Sequence, residues 1–100
     1  MSFAYVWEYR VDPANEHAFR GAYGVKGGWA ELFRRSAHYR KTELFQDADD
    51  PSRFLTIDHW TSKSARDAFV ADHRGAFDEL DRTCERLTLE ERWLGDFDIV

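Results

Sequence analysis

Residues 3–11 read Phe3-Ala4-Tyr5-Val6-Trp7-Glu8-Tyr9-Arg10-Val11, a run of aromatic and β-branched types that predicts an extended strand. Every odd position is large, from Phe3 through Tyr5, Trp7 and Tyr9 to Val11. The even positions begin apolar, with Ala4 and Val6, and end charged, with Glu8 and Arg10. Alternate side chains of a strand point to opposite faces. Both faces of this one therefore carry apolar bulk, as when something covers each side of the sheet.

Asp12-Pro13 punctuates the strand, Asp being a favoured helix cap and Pro suited to the first helical position. A helix is expected over roughly 13–23, with Ala14, Ala18, Phe19 and Ala22 as its inner face. Gly24, Gly27 and Gly28 break it, and a second short helix carries Trp29, Leu32, Phe33 and Ser36 at helical spacing. Residues 38–46 and 53–60 read as strands, and the turn-rich stretch Asp47–Ser52 joins them as a hairpin. Thr61 or Ser62 can cap the next helix, whose stripe is Ala65, Phe69, His73, Ala76, Phe77, Leu80, Cys84 and Leu87, with Gly75 as the expected kink. Thr88-Leu89-Glu90-Glu91 matches a capping box and predicts one more helical turn closed by Gly95, before a last strand over 96–100.

This order predicts an α+β, ferredoxin-like βαββαβ sandwich: a four-stranded antiparallel sheet with its helices on one face, residues 1–100 forming a single domain. The other sheet face would be bare, and a bare apolar patch of that size is rare. The simplest solution is a homodimer whose two sheets cover each other.

Composition narrows the function. The chain has 100 residues, 43% hydrophobic and 33% charged, which is a globular balance. Its net charge of −5, with bases alternating with acids as in Arg66-Asp67 and Asp81-Arg82, argues against a nucleic-acid partner. The single cysteine, Cys84, excludes an internal disulfide and suits a reducing cytoplasm. The apolar run Phe3–Trp7 is too short for a signal-peptide core or a membrane span. A cytoplasmic protein with no membrane partner is expected.

The opening strand, Trp29-Ala30-Glu31-Leu32-Phe33-Arg34-Arg35, Tyr39 with Thr42-Glu43-Leu44, Leu55–Trp60, and Ala65 with Ala68-Phe69 and His73 together resemble the antibiotic biosynthesis monooxygenase (ABM) domain family. The resemblance covers nearly the whole chain and implies a dimeric α/β barrel. It also implies a cofactor-independent monooxygenase acting with O₂ on small polycyclic aromatic phenols or quinols. Such a substrate passes electrons to O₂ itself, so the protein has to supply a dry aromatic cleft and hydrogen-bond donors to the substrate anion. Two other readings stay open: a non-catalytic dimeric module binding a small molecule, and haem binding or degradation. Fold alone does not choose among them.

Candidate site residues follow on the oxygenase reading. Tyr5, Trp7 and Tyr9 share one strand face and would bind substrate together with Phe69, although aromatic ladders also serve simple packing. Trp60, at the strand-to-helix junction, His73, on the inner stripe of the long helix, and His59 are the catalytic candidates, the histidines as general bases. Each histidine could equally be structural. His17 and His38 read as solvated or structural, Arg40 and Arg53 as solvated, and Cys84 as a small buried hydrophobe. No histidine pair has metal-ligand spacing, so no metal is expected. The haem-degrading branch of the family uses an Asn, a Trp and an axial His where this chain has Tyr9, Phe69 and Glu79, so an iron would lack its imidazole.

Overall fold

The computed structural model describes residues 2–100. Strands β1 (Ser2–Arg10), β2 (Tyr39–Gln46), β3 (Arg53–Trp60) and β4 (Glu90–Ile99) form one sheet in the order β2-β3-β1-β4, with every neighbouring pair antiparallel. Helices α1 (Glu16–Tyr23) and α2 (Gly28–Phe33) connect β1 to β2, and α3 (Lys63–Asp72) and α4 (Arg74–Cys84) connect β3 to β4. This is the ferredoxin-like α+β sandwich expected from the element order.

Local chemistry explains the boundaries. The Asp12 side chain accepts from the Ala14 N–H at 2.9 Å and starts a single 3-10 turn, Pro13–Asn15, ahead of α1. Ser62 Oγ accepts from the Ala65 N–H at 3.1 Å and caps α3. In the β2–β3 turn, Asp47 Oδ1 accepts from the N–H groups of Asp49 and Asp50 at 2.8 and 3.1 Å.

The strand register sets four rows across the inner face of the sheet. They are Tyr39–Trp60–Phe3–Asp98, Thr42–Asp58–Tyr5–Asp96, Leu44–Thr56–Trp7–Trp93 and Gln46–Phe54–Tyr9–Glu91. The helices pack aromatic side chains onto both ends of this grid. Phe19 and Tyr23 of α1 meet Tyr9 at centroid distances of 5.3 and 4.9 Å. Phe33 of α2 and Phe69 of α3 meet Trp60 at 5.4 and 5.5 Å. Full burial of side chains such as Phe19, Phe54 and Trp60 contributes about 1.5–3 kcal/mol each or more.

Four expectations need correction. Ala14 and Ala18 are exposed, and the inner face of α1 is Phe19, Ala22 and Tyr23, the larger aromatic side chains taking the core positions while Ala14 lies in the 3-10 turn ahead of the helix. The long helix breaks at His73 (φ −117°, ψ 28°) rather than at Gly75, which lies inside α4. Thr88–Glu91 forms no helix: Thr88 Oγ1 bonds the Glu91 carboxylate and not a backbone N–H, and one short 3-10 turn, Glu85–Leu87, precedes the strand. The final strand therefore begins at Glu90, six residues earlier than expected, and holds Gly95 in its interior. Pairing with β1 along nine residues outweighs a local capping signal.

Candidate functional site

A cavity of about 780 Å³ lies between the inner sheet face and helices α2–α4. Its floor is the middle of the grid: Tyr5, Trp7 and Tyr9 of β1, Thr56 and Asp58 of β3, and Trp93 of β4. Trp29 and Phe77, edge to face with ring centroids 4.9 Å apart, form the helical wall.

A bulge in β4 puts Trp93 there. The register with β1 slips between Val6 and Trp7, so that Gly95 faces Val6 while Trp93 faces Trp7 and Leu94 is the extra residue. Gly95 adopts φ +151°, and a Cβ there would lie 3.1 Å from the Phe97 ring. The result is two indoles side by side on the cavity floor, Trp93 53% exposed.

The polar groups gather in the Thr42–Asp58–Tyr5–Asp96 row. Asp58 is 6% exposed, and its Oδ1 accepts from Thr42 Oγ1 at 2.5 Å. Thr42 Oγ1 lies 2.6 Å from the Tyr39 hydroxyl, which must donate, since the single Thr42 proton goes to Asp58. Burial pushes the Asp58 carboxyl up to about 7, against the Thr42 hydrogen bond and the nearby Arg66 charge, which both favour ionisation. Arg66 reaches in from α3 and lies over the Tyr5 ring, its guanidinium carbon 4.4 Å from the centroid. It pairs with Asp67 at 2.8 Å and Asp96 at 3.4 Å. Burial also raises the Tyr5, Tyr9 and Tyr23 phenols, so all three stay protonated donors at neutral pH. Tyr9 meets Thr56 Oγ1 at 3.2 Å and Tyr23 donates to Glu91 at 3.2 Å.

The residues singled out from sequence separate in space. Tyr5, Trp7 and Tyr9 share the cavity floor. Trp60 sits one row away, 0% exposed, enclosed by Phe33, Tyr39 and Phe69, and its indole N–H has no partner among the described residues. Phe69 and His73 border a second pocket of about 530 Å³ beside Arg35 and His38. The His73 ring stacks on Phe69 at 4.1 Å, with Nδ1 3.1 Å from the Phe69 carbonyl oxygen. His59 lies on the opposite sheet face, its Nε2 2.6 Å from Glu43 Oε1. Sequence reasoning missed Asp58, Thr42, Arg66 and Trp93. The available signal for Asp58 was the alternation of β3, which puts a carboxylate on the same face as Phe54 and Trp60.

A model of the antibiotic biosynthesis monooxygenase family matches residues 2–79. The chain belongs to that family. Among solved structures, an alanine variant of SnoaB, a cofactor-independent oxygenase from Streptomyces nogalater, is 18% identical, with a TM-score of 0.79 over 98% of this chain and 92% of that one. Rv0793 from Mycobacterium tuberculosis is 15% identical, with a TM-score of 0.70 over 99% and 98%. A conserved protein from Methanosarcina mazei is 12% identical, with a TM-score of 0.72 over 97% and 91%. At these identities the likeness is one of fold. No curated protein matches this chain. This ABM chain thus shares the architecture of an oxygenase, while its cavity is lined by its own residues.

Proposed function

We propose that this protein is a cofactor-independent monooxygenase, acting in the cytoplasm as a homodimer on a small, uncharged polycyclic phenol or quinol. The observation that carries this is the cavity itself: about 780 Å³, with the Trp7 and Trp93 indoles on its floor and Trp29 and Phe77 as its wall. Flat aromatic guests stack on such surfaces. Its ionisable lining holds the carboxyls of Asp58, Asp67, Asp81, Glu91 and Asp96 against the guanidiniums of Arg66 and Arg74, which disfavours an anionic guest. SnoaB, whose fold this chain shares, is itself described as a cofactor-independent oxygenase.

In this reading Tyr5, Trp7 and Tyr9 contact the substrate, and the phenol O–H groups and indole N–H groups of the floor hold its oxygens. Trp60 and Phe69 act as the packed wall behind them, and His73 and His59 take no part in the chemistry. The substrate supplies its own electrons. One atom of O₂ enters the ring CH₂ of the phenol's keto tautomer (an anthrone) as a carbonyl oxygen, and the other leaves as water with the two hydrogens. An iron porphyrin fits this cavity less well, because no imidazole, thiolate or thioether lines it among the described residues.

The dimer rests on the outer sheet face. Val6, Leu55 and Ile57 stand beside the exposed Phe45, Phe97 and Ile99, and a charged group formed by Glu8, Arg53 and Arg92 borders them. An unpaired apolar face of this kind supports a second copy as its cover. The test of function is O₂ uptake and product formation with anthrone- and quinol-type compounds. Catalysed uptake is expected, whereas binding that quenches tryptophan fluorescence without O₂ uptake would identify a non-catalytic binding module.

A further inference from the structure

We propose that Asp58 is the general base of this site, its free Oδ2 taking the hydroxyl proton of the bound phenol (for an anthrone, of its enol tautomer) while Thr42 holds Oδ1. The inference rests on the monooxygenase reading and adds to it the residue that starts the reaction.

The geometry selects Asp58 among the cavity carboxyls. Asp67 and Asp96 are tied to Arg66, and Glu91 accepts from Tyr23. Asp81 is exposed at the rim. Asp58 and Asp96 flank Tyr5 on the floor. Asp96 also has a partnerless oxygen, Oδ1, but its Oδ2 is ion-paired with Arg66. Among the described residues Asp58 has no ion pair, its Oδ1 being fixed by Thr42 and its Oδ2 lacking a hydrogen-bond partner. The groups facing it are Tyr5 from β1, Thr42 and Tyr39 from β2, Asp96 one position further along the row in β4, and Arg66 from α3. In the step itself the substrate O–H bond breaks, its electron pair stays on the substrate oxygen, and a new O–H bond forms at Asp58 Oδ2. The product is a neutral carboxylic acid beside an electron-rich substrate anion, close to the Arg66 charge. O₂, the oxidant of the parent reading, then meets the anion. The proton on Oδ2 then passes to the oxygen atom that leaves as water, which restores the carboxylate, while Thr42 and Tyr39 keep Oδ1 hydrogen-bonded throughout. An acid held near 7 by burial is suited to this task, since both of its forms are populated at neutral pH.

The experiment is the pH profile of kcat/KM for O₂ uptake in the wild type, Asp58→Asn and Thr42→Val, with an anthrone-type substrate. The wild-type rate should rise with pH through a limb near 7. Asp58→Asn, whose amide oxygen can still accept from Thr42, should keep the fold and ligand-induced fluorescence quenching while losing about 10²–10⁴-fold in kcat/KM. Thr42→Val removes a donor that favours the carboxylate and should move the limb to higher pH. A purely structural role for Thr42 would leave the limb in place. Wild-type turnover with Asp58→Asn at full rate overturns this proposal alone and leaves the monooxygenase reading standing. Should Asp58→Asn not fold, an unmoved limb in Thr42→Val overturns it equally. No catalysed uptake by the wild type removes the parent reading, and this proposal with it.

Discussion

A carboxyl that is 6% exposed and faces an aromatic floor resists ionisation, and Asp58 has only Thr42 and the Arg66 charge to favour its charged form. Its proton is held more tightly in the folded chain than in the unfolded one. Asp58 therefore supports stability most fully below pH 4 and withdraws that support as pH rises toward and past about 7, on the order of 4 kcal/mol in all. Asp58→Asn should accordingly melt higher than the wild type at pH 8, and the gap should close near pH 4, as thermal denaturation at both pH values will show. Trp7 is the other residue on which binding turns. Trp7→Ala removes one of the two floor indoles and should weaken binding of a flat quinol about tenfold, measured by fluorescence titration. That Tyr5, Trp7 and Tyr9 share one strand face was legible from period-two spacing; that this face lines a cavity was not. Asp58 was not, because its importance depends on which strands flank β3 and which helix drops an arginine above it.

The β4 bulge shows where local pattern and tertiary pairing diverge. Thr88-x-x-Glu91 and Gly95 have the chemistry of a capped helix, yet residues 90–99 pair with β1 and Gly95 serves a bulge. Nothing within that segment reveals the partner strand that decides the matter. The strands 38–46 and 53–60 were legible because their hairpin is local, and β3 runs over Arg53–Trp60 as expected. The break at His73 was hidden for a related reason: one apolar phase runs through Phe69, His73 and Phe77 whether the backbone is continuous or not. At the bulge, Gly95→Val combines an unfavourable φ of +151° with a Cβ 3.1 Å from the Phe97 ring. It should cost about 1–3 kcal/mol in a denaturant titration and turn Trp93 off the cavity floor, seen as a changed tryptophan emission.

The sheet divides the molecule into two working sides. One side, under the helices, encloses the cavity and the Thr42–Asp58–Tyr5–Asp96 row. The other presents Phe45, Phe97 and Ile99 around Val6 and Ile57 and is the surface proposed for a second copy. Both sides were foreshadowed by the opening strand, whose odd and even positions each carry apolar bulk. What the strand could not convey is that the cavity lies over the middle rows while Trp60 is sealed at one end by Phe33 and Phe69. Ile57→Asp places a charge at the centre of the outer face and should yield monomers in light scattering, with the far-ultraviolet dichroism unchanged. The most direct measurement is the rate of O₂ consumption when the purified protein meets an anthrone in metal-chelated buffer. Consumption well above the protein-free rate, with one molecule of quinone formed per O₂, is the predicted result. A rate equal to the protein-free control for anthrones and quinols alike would contradict it.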